Sequence, residues 1–331
     1  MNKATQRISY FDFIRGIAIV MVVAIHTTTS CNLDTISGTI STIVRQCINC
    51  AVPLFLASSA FFLYKTDVST LGKYFSFLKK QIPKIYIPTL VWSIYYLALG
   101  IHSGSNIFIS LSYFFGCGYS IYYFIALIIQ CYLLLPIIKK YTKLSLVLSI
   151  PITITSLIIL TILSIDNPLP LITYAGPFPV WILFFVLGLY LANTSRSYSL
   201  KVPITLILLG IIVQFIELSY IDSIYHNFRI GIKASSTIYS AGVILLLFSK
   251  KIETIYNNTS ENKILKLFDF FGKKSFIIYL CHCYIISIVS NIYYTSLWSF
   301  NFATCFISTI LFVLLLQKIA PKSIYKYIGL K

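Results

Sequence analysis

The sequence predicts an all-α, polytopic membrane protein with about ten transmembrane helices and both termini in the cytoplasm. Three observations carry that expectation. Hydrophobic residues fill 58% of the 331 positions and charged residues only 11%, against about 45–50% and about 25% in soluble domains. The apolar residues come in long runs, and a helix of roughly 20 such residues crosses a bilayer. Lysine and arginine collect between alternate runs, the pattern that keeps loops on the cytoplasmic side.

Ten segments meet the length criterion: 11–30, 38–63, 84–101, 118–138, 145–165, 176–193, 202–221, 232–249, 275–292 and 301–319. The first follows a basic start, as in a signal peptide, but it ends in His-Thr-Thr-Thr-Ser-Cys without a small-x-small cleavage site. It therefore reads as a retained helix. The longest hydrophilic stretch, 250–274, reads as a loop. No internal repeat or low-complexity linker divides the chain, so residues 1–331 form one transmembrane domain.

An even number of spans puts both termini on one side. With that side cytoplasmic, 22 of the 26 lysines and arginines fall in its loops and only Arg229 and Lys233 in the opposite ones. Arg15 and Arg45 lie inside spans. The net charge of +17 is thus a topological signal and forms no single patch for nucleic acid. The aromatic content of 16% suits membrane interfaces. Most of the eight cysteines sit in apolar runs as small buried thiols. Cys47 and Cys50 form a CxxC without a second pair, and no Cys/His/Asp/Glu cluster has ligand spacing, so no metal is expected. Cys31, at an outer boundary, is the one candidate for disulfide chemistry.

The chemistry starts in DFIRGIAIVMVVAIH, residues 12–26. Arg15 and His26 are 11 residues apart, about 20° beyond three full turns, so they share one helix face about 16 Å apart along the axis. Asp12 lies three residues before Arg15, within pairing reach. Ionisable groups at this depth face a bundle interior or a wet cavity. Taken singly, Arg15 reads equally well as a snorkelling anchor and His26 as a helix-packing group; their shared face weakens both readings.

His282, in KKSFIIYLCHCYI, lies about eight residues inside the ninth span and reads either as a core histidine or as a site residue. His102 and His226 fall in outer segments. In LKKQIPKIYIPTLVW, Lys79, Lys80 and Lys84 crowd the cytoplasmic end of the third span, where Pro83 and Pro88 are expected to break its regularity. These lysines are either ordinary cytoplasmic charge or a cationic mouth for phosphates. Arg45 and Gln46 are further intramembrane polar groups, placed to contact substrate or to pair with Asp34.

Six segments, in order, resemble the acyltransferase-3 family of integral-membrane O-acyltransferases. DFIRGIAIVMVVAIH resembles its opening Asp-x-Leu-Arg-Gly followed by a histidine. CAVPLFLASSAFFLY, LKKQIPKIYIPTLVW, IYYFIALIIQCYLLLPII, PVWILFFVLGLYLAN and FGKKSFIIYLCHCYI are similar to later family segments. Ala60 stands where the family has glycine and Tyr122 where it has tryptophan. The resemblance runs from about residue 7 to 290.

It implies transfer of an acyl group, usually acetyl, from cytoplasmic acyl-CoA to a hydroxyl of a surface polysaccharide, glycolipid or lipid-linked glycan. The setting it implies is a bacterial cytoplasmic membrane and its envelope. In that reading Arg15, Lys79, Lys80 and Lys84 hold the CoA phosphates, and the pantetheine arm follows the first helix to His26. His26 is the general base or the transient acyl carrier. His282 orients the acceptor or donates to the oxyanion, and Asp12 fixes Arg15. No cofactor is permanently bound; acetyl-CoA is the donor substrate. The rival reading is a transporter or flippase for a polar or lipid-linked glycan, since intramembrane arginine and histidine also suit transport paths. A third, plainer reading is an assembly protein that uses its buried polar groups for packing.

Overall fold

A computed structural model describes residues 3–28, 36–164, 169–224, 232–259, 261–293 and 295–330, and among them every regular element is helical. Cys31, Asp34, His226 and Arg229 lie outside the described residues. The helices are α1 Lys3–Thr27, α2 Ile36–Ile48, α3 Ala51–Leu63, α4 Leu71–His102, α5 Ile107–Phe115, α6 Tyr123–Lys140, α7 Thr142–Leu163 and α8 Leu171–Ala175. They continue with α9 Ile182–Ala192, α10 Lys201–Ile224, α11 Ala234–Phe248, α12 Lys250–Asn258, α13 Lys263–Lys273, α14 Ser275–Ile292, α15 Trp298–Ile319 and α16 Tyr325–Ile328.

Each of the ten predicted segments has a helical counterpart, but eight of the described helical runs are long and apolar enough to cross a membrane. The sixth and eighth segments become α9 and α11, of 11 and 15 residues. At 1.5 Å per residue α9 rises only about 16 Å. Nine of its eleven residues are buried in protein. The second segment is one run made of two helices, α2 and α3, joined at Asn49 and Cys50.

The third segment differs most from expectation. It begins 13 residues early, where Thr70 caps α4 by accepting the Lys73 amide at 3.4 Å, and it continues unbroken through Pro83 and Pro88. A membrane helix tolerates proline where neighbours absorb the lost hydrogen bond and the local crowding. The stretch 250–274, expected as a loop, holds α12 and α13. Both are amphipathic: α13 turns Phe271 and Asp269 inward and leaves Ile264 and Leu267 exposed.

Helix α1 is the axle of the bundle, touching α2, α3, α12, α13, α14 and α15. Two glycines set its closest crossing. A Cβ on Gly272 of α13 would lie 1.7 Å from the Asp12 carbonyl oxygen, and one on Gly16 would lie 1.9 Å from the Phe268 carbonyl oxygen. Only glycine permits backbones that close. Beside the crossing, Phe11 stacks on Phe61 of α3 at 4.3 Å and meets Phe248 of α11 edge-on at 5.1 Å. Near it too, Tyr256 of α12 donates to Asp269 of α13 at 2.7 Å, and Ser9 of α1 donates to the same carboxylate at 3.0 Å. A second crossing of the same kind joins α3 and α9, where a Cβ on Gly188 would lie 2.2 Å from the Ala57 carbonyl oxygen.

Charge is buried with partners in this framework. Arg196 pairs with Glu253 at 2.7 Å and also donates to the terminal Phe248 carbonyl of α11 at 3.0 Å. Lys233, assigned to the outer side, is buried at the N-terminal cap of α11.

The glycine crossing gives the first prediction. Gly272→Ala should destabilise the protein by at least about 1–3 kcal/mol, the usual cost of overpacking a rigid contact. Gly72→Ala, whose Cβ would meet nothing within 4 Å, should leave it unchanged or stabilise it by up to about 1 kcal/mol. Thermal melts of the two purified variants in one detergent compare them directly.

Candidate active site

Two cavities open beside α1. The first, with a volume of about 590 Å³, is lined by Asp12 and Arg15 of α1, Ile85 of α4, Tyr132 of α6, and the run Gly272–Lys273–Lys274–Ser275 where α13 passes into α14. The second, of about 360 Å³, is lined by His26 and Ile25 of α1, Arg45 of α2, Asn49, and Tyr123 and Tyr279. The cavities share three wall residues, Phe55 of α3, Phe124 of α6 and Tyr279 of α14. Those rings touch edge-on: Phe55 and Phe124 at 6.3 Å, Phe124 and Tyr279 at 5.7 Å. Tyr279 is pinned by donating its hydroxyl to the Ile121 carbonyl at 2.7 Å.

The shared face expected for Arg15 and His26 is therefore realised as two adjoining cavities along one helix. Arg15 pairs with Asp12 at 3.2 Å, as their spacing predicts, and its guanidinium lies 5.1 Å from the centre of the Phe62 ring. Half-buried, the guanidinium is held by one carboxylate while its flat face is covered.

The lysines beside Arg15 come from an unexpected place. Lys79, Lys80 and Lys84 are exposed along α4, and none of them lines the Arg15 cavity. Lys273 and Lys274 do. Lys274 is the N-terminal cap of α14, and its side chain makes no capping bond there. The first amides of an 18-residue helix thus end at the cavity wall, with two ammonium groups alongside. Free helix N-terminal amides and lysines together favour an anion. Partial burial lowers the pKa of Lys274, and a bound anion would favour its charged form. The sequence signal was GKKS immediately before an apolar run: glycine for close approach, then cations at a helix start.

His282 reaches the site through the packing of α14 on α1. Its ring is fully buried, with its centre 5.2 Å from that of His26. Nδ1 lies 2.8 Å from the Tyr279 carbonyl and 3.1 Å from that of Ile278. Carbonyls only accept, so Nδ1 carries the hydrogen, and the neutral ring presents a lone pair at Nε2. In that tautomer His282 is an acceptor toward the site. The oxyanion-donor role expected for it would require a protonated ring.

Two further polar groups line the His26 cavity. Arg45 donates to the Ile25 carbonyl and to the Thr28 hydroxyl, the latter at 3.1 Å, while its Nε is buried without a partner among the described residues. Asn49 also has a buried side-chain amide nitrogen without a partner among them. Buried donors without partners cost free energy unless a ligand or water meets them. Arg45 lies about one turn before the helix break at 49–50 and Asn49 lies in it, where backbone direction changes and side chains can converge.

A family model described as an acyltransferase domain matches residues 8–317, nearly the whole chain. No curated protein and no solved structure matches it.

The Asp12–Arg15 pair gives the second prediction. Asp12→Asn should cost about 1–3 kcal/mol, because a half-buried guanidinium loses a charged acceptor. In an Arg15→Gln background the same change should cost about 0.5 kcal/mol or less. A double-mutant cycle on melting stability measures the difference; equal costs in both backgrounds would show the pair to be uncoupled.

Proposed function

The chain belongs to the acyltransferase-3 family, and from that premise we propose that it is a membrane O-acyltransferase, most simply an O-acetyltransferase. The donor is acyl-CoA and the acceptor a hydroxyl of a surface polysaccharide, glycolipid or lipid-linked glycan. The observation that carries the reading is the pair of adjoining cavities, one cationic and one containing histidine, separated by three aromatic rings.

The lysine-rich cavity suits the phosphates of CoA. Arg15, Lys273, Lys274 and the first amides of α14 supply charge-assisted donors. The exposed Lys79, Lys80 and Lys84 add a field outside the cavity that raises the local concentration of an anionic donor. This reading puts that end of the bundle in the cytoplasm, in line with the distribution of basic residues. From Arg15 the pantetheine arm needs about 16 Å along α1 to reach His26, passing Phe55, Phe124 and Tyr279.

At His26 the acceptor oxygen attacks the thioester carbonyl carbon and His26 takes the hydroxyl proton. The carbonyl oxygen becomes an oxyanion, which Arg45 Nε and the Asn49 amide are placed to receive. Collapse of that intermediate breaks the C–S bond, and the CoA thiolate recovers the proton from His26. His282, through its Nε2 lone pair, stabilises the charged His26 ring or holds an acceptor hydroxyl. Asp12 keeps Arg15 at the cavity wall.

The test supplies membranes with labelled acetyl-CoA and follows label into envelope glycans. His26→Ala should reduce transfer by about 10²–10⁴-fold, the usual contribution of a general base. Removing the Arg45 or Asn49 donor by Arg45→Met or Asn49→Leu should lower kcat by about 10²–10³-fold with little change in KM for the donor. Arg15→Ala should raise KM for acyl-CoA by about 10–100-fold with a smaller change in kcat. Movement of glycan without any incorporated label would favour the transport reading instead.

A further inference from the structure

We propose that His26, His282 and Cys283 form a binding site for a thiophilic d-block dication, with zinc the best match, and that this metal inhibits the enzyme. No spacing in the sequence suggested such a site, because the ligands come from two helices more than 250 residues apart. One ligand atom from each of the three residues lies within 4.8 Å of the other two.

The geometry favours a tetrahedral ion. Bond lengths of about 2.0–2.1 Å to nitrogen and about 2.3 Å to sulfur put two ligands of one zinc about 3.3–3.8 Å apart. His282 Nε2 and Cys283 Sγ are already 3.5 Å apart. His26 closes the rest by a side-chain movement of about 1.5 Å or less on this bond arithmetic. Metal-bound histidines usually donate their other ring nitrogen to a carbonyl, which fixes the tautomer. His282 does this twice, to Tyr279 and Ile278, and so turns Nε2 towards the cluster. His26 lines the adjoining cavity, from which a water completes the fourth position.

The electrostatics pull in two directions. Arg45 lines the same cavity as His26 and opposes a cation. Binding deprotonates Cys283, and the thiolate offsets one of the two metal charges. A hard cation such as magnesium would find no oxygen ligand among these three residues and should bind far more weakly.

The inhibitory part of the proposal rests on His26 acting as the base. A lone pair engaged by metal cannot take the acceptor's proton. The binding part stands apart from that reading and has its own readout.

The experiment strips purified full-length protein of metal and titrates it with cobalt(II) and zinc(II) in detergent. Cobalt should give one equivalent of tetrahedral absorption with a thiolate-to-metal charge-transfer band. Cys283→Ser should abolish that band and weaken zinc binding by at least about tenfold, while keeping basal acyl transfer. Zinc should inhibit transfer by wild type at concentrations that spare Cys283→Ser. X-ray absorption of the zinc-loaded wild type should show one sulfur and two imidazole ligands, which keeps the site testable if the variant fails to fold. Absence of stoichiometric binding, or zinc ligands without sulfur, would overturn the site. Stoichiometric binding without inhibition would retain the site and refute the inhibitory role, and with it count against His26 as base.

Discussion

The contact that sets the rest of this protein is the crossing of α1 and α13 at Gly16 and Gly272. Neither glycine can carry even a methyl group there, since the space is taken by the opposing backbone. Lipid tails give no hydrophobic drive between helices, so close backbone packing of this kind holds membrane bundles together. The crossing fixes the depth of Asp12 against the end of α13. It thereby places Arg15 beside Lys273, Lys274 and the start of α14. The cationic cavity is a by-product of how tightly two helices pack.

The second organising fact is that α1 is surrounded by protein. Most of its side chains from Tyr10 to Thr28 are buried, and its neighbours come from both halves of the chain. An arginine and a histidine on a lipid-facing helix would be costly. On this helix they line cavities that other polar groups share: Lys273 and Lys274 beside Arg15, and Arg45 and Asn49 beside His26. The longest and most lipid-suited helices, such as α4, α7 and α10, are far less buried. The division of labour is clear: outer helices satisfy the bilayer, and inner ones position polar groups.

The sequence made legible those features that lie within one helix. The Asp12–Arg15 pair and the common face of Arg15 and His26 depend only on 100° per residue and 1.5 Å of rise. Features that depend on packing between helices were not legible. His282 looked no different from a core histidine until α14 was set against α1. Arg45 was legible only as a group that contacts substrate or pairs with Asp34, and Asn49 was not legible at all, because the break between α2 and α3 lies within a continuous apolar run. Lys79, Lys80 and Lys84 attracted attention by their density, yet the lysines at the cavity are Lys273 and Lys274, where one turn of sequence ends an amphipathic helix and begins an apolar one. Hydropathy also gave no sign that α9 and α11 are shorter than the other spans, because it measures how apolar a segment is and not where its helix begins and ends.

The aromatic partition between the cavities has a chemical reason on the acyl-transfer reading. A thioester that meets water beside an active base is hydrolysed, and the acyl group is lost. Chemistry between a donor from one aqueous phase and an acceptor from the other therefore needs a narrow, apolar passage with room for a chain but not for a water column. Phe55, Phe124 and Tyr279 supply three stiff rings, and the Tyr279 hydroxyl is tied to backbone so that it offers no free donor to water. On that reading exclusion of water also strengthens every charge near His26, since fixed dipoles act more strongly away from solvent. On the same reading, a passage built this way also explains why His26 and Arg15 sit on one helix: a single rigid rod keeps them at constant separation while the side chains between them move aside for the donor.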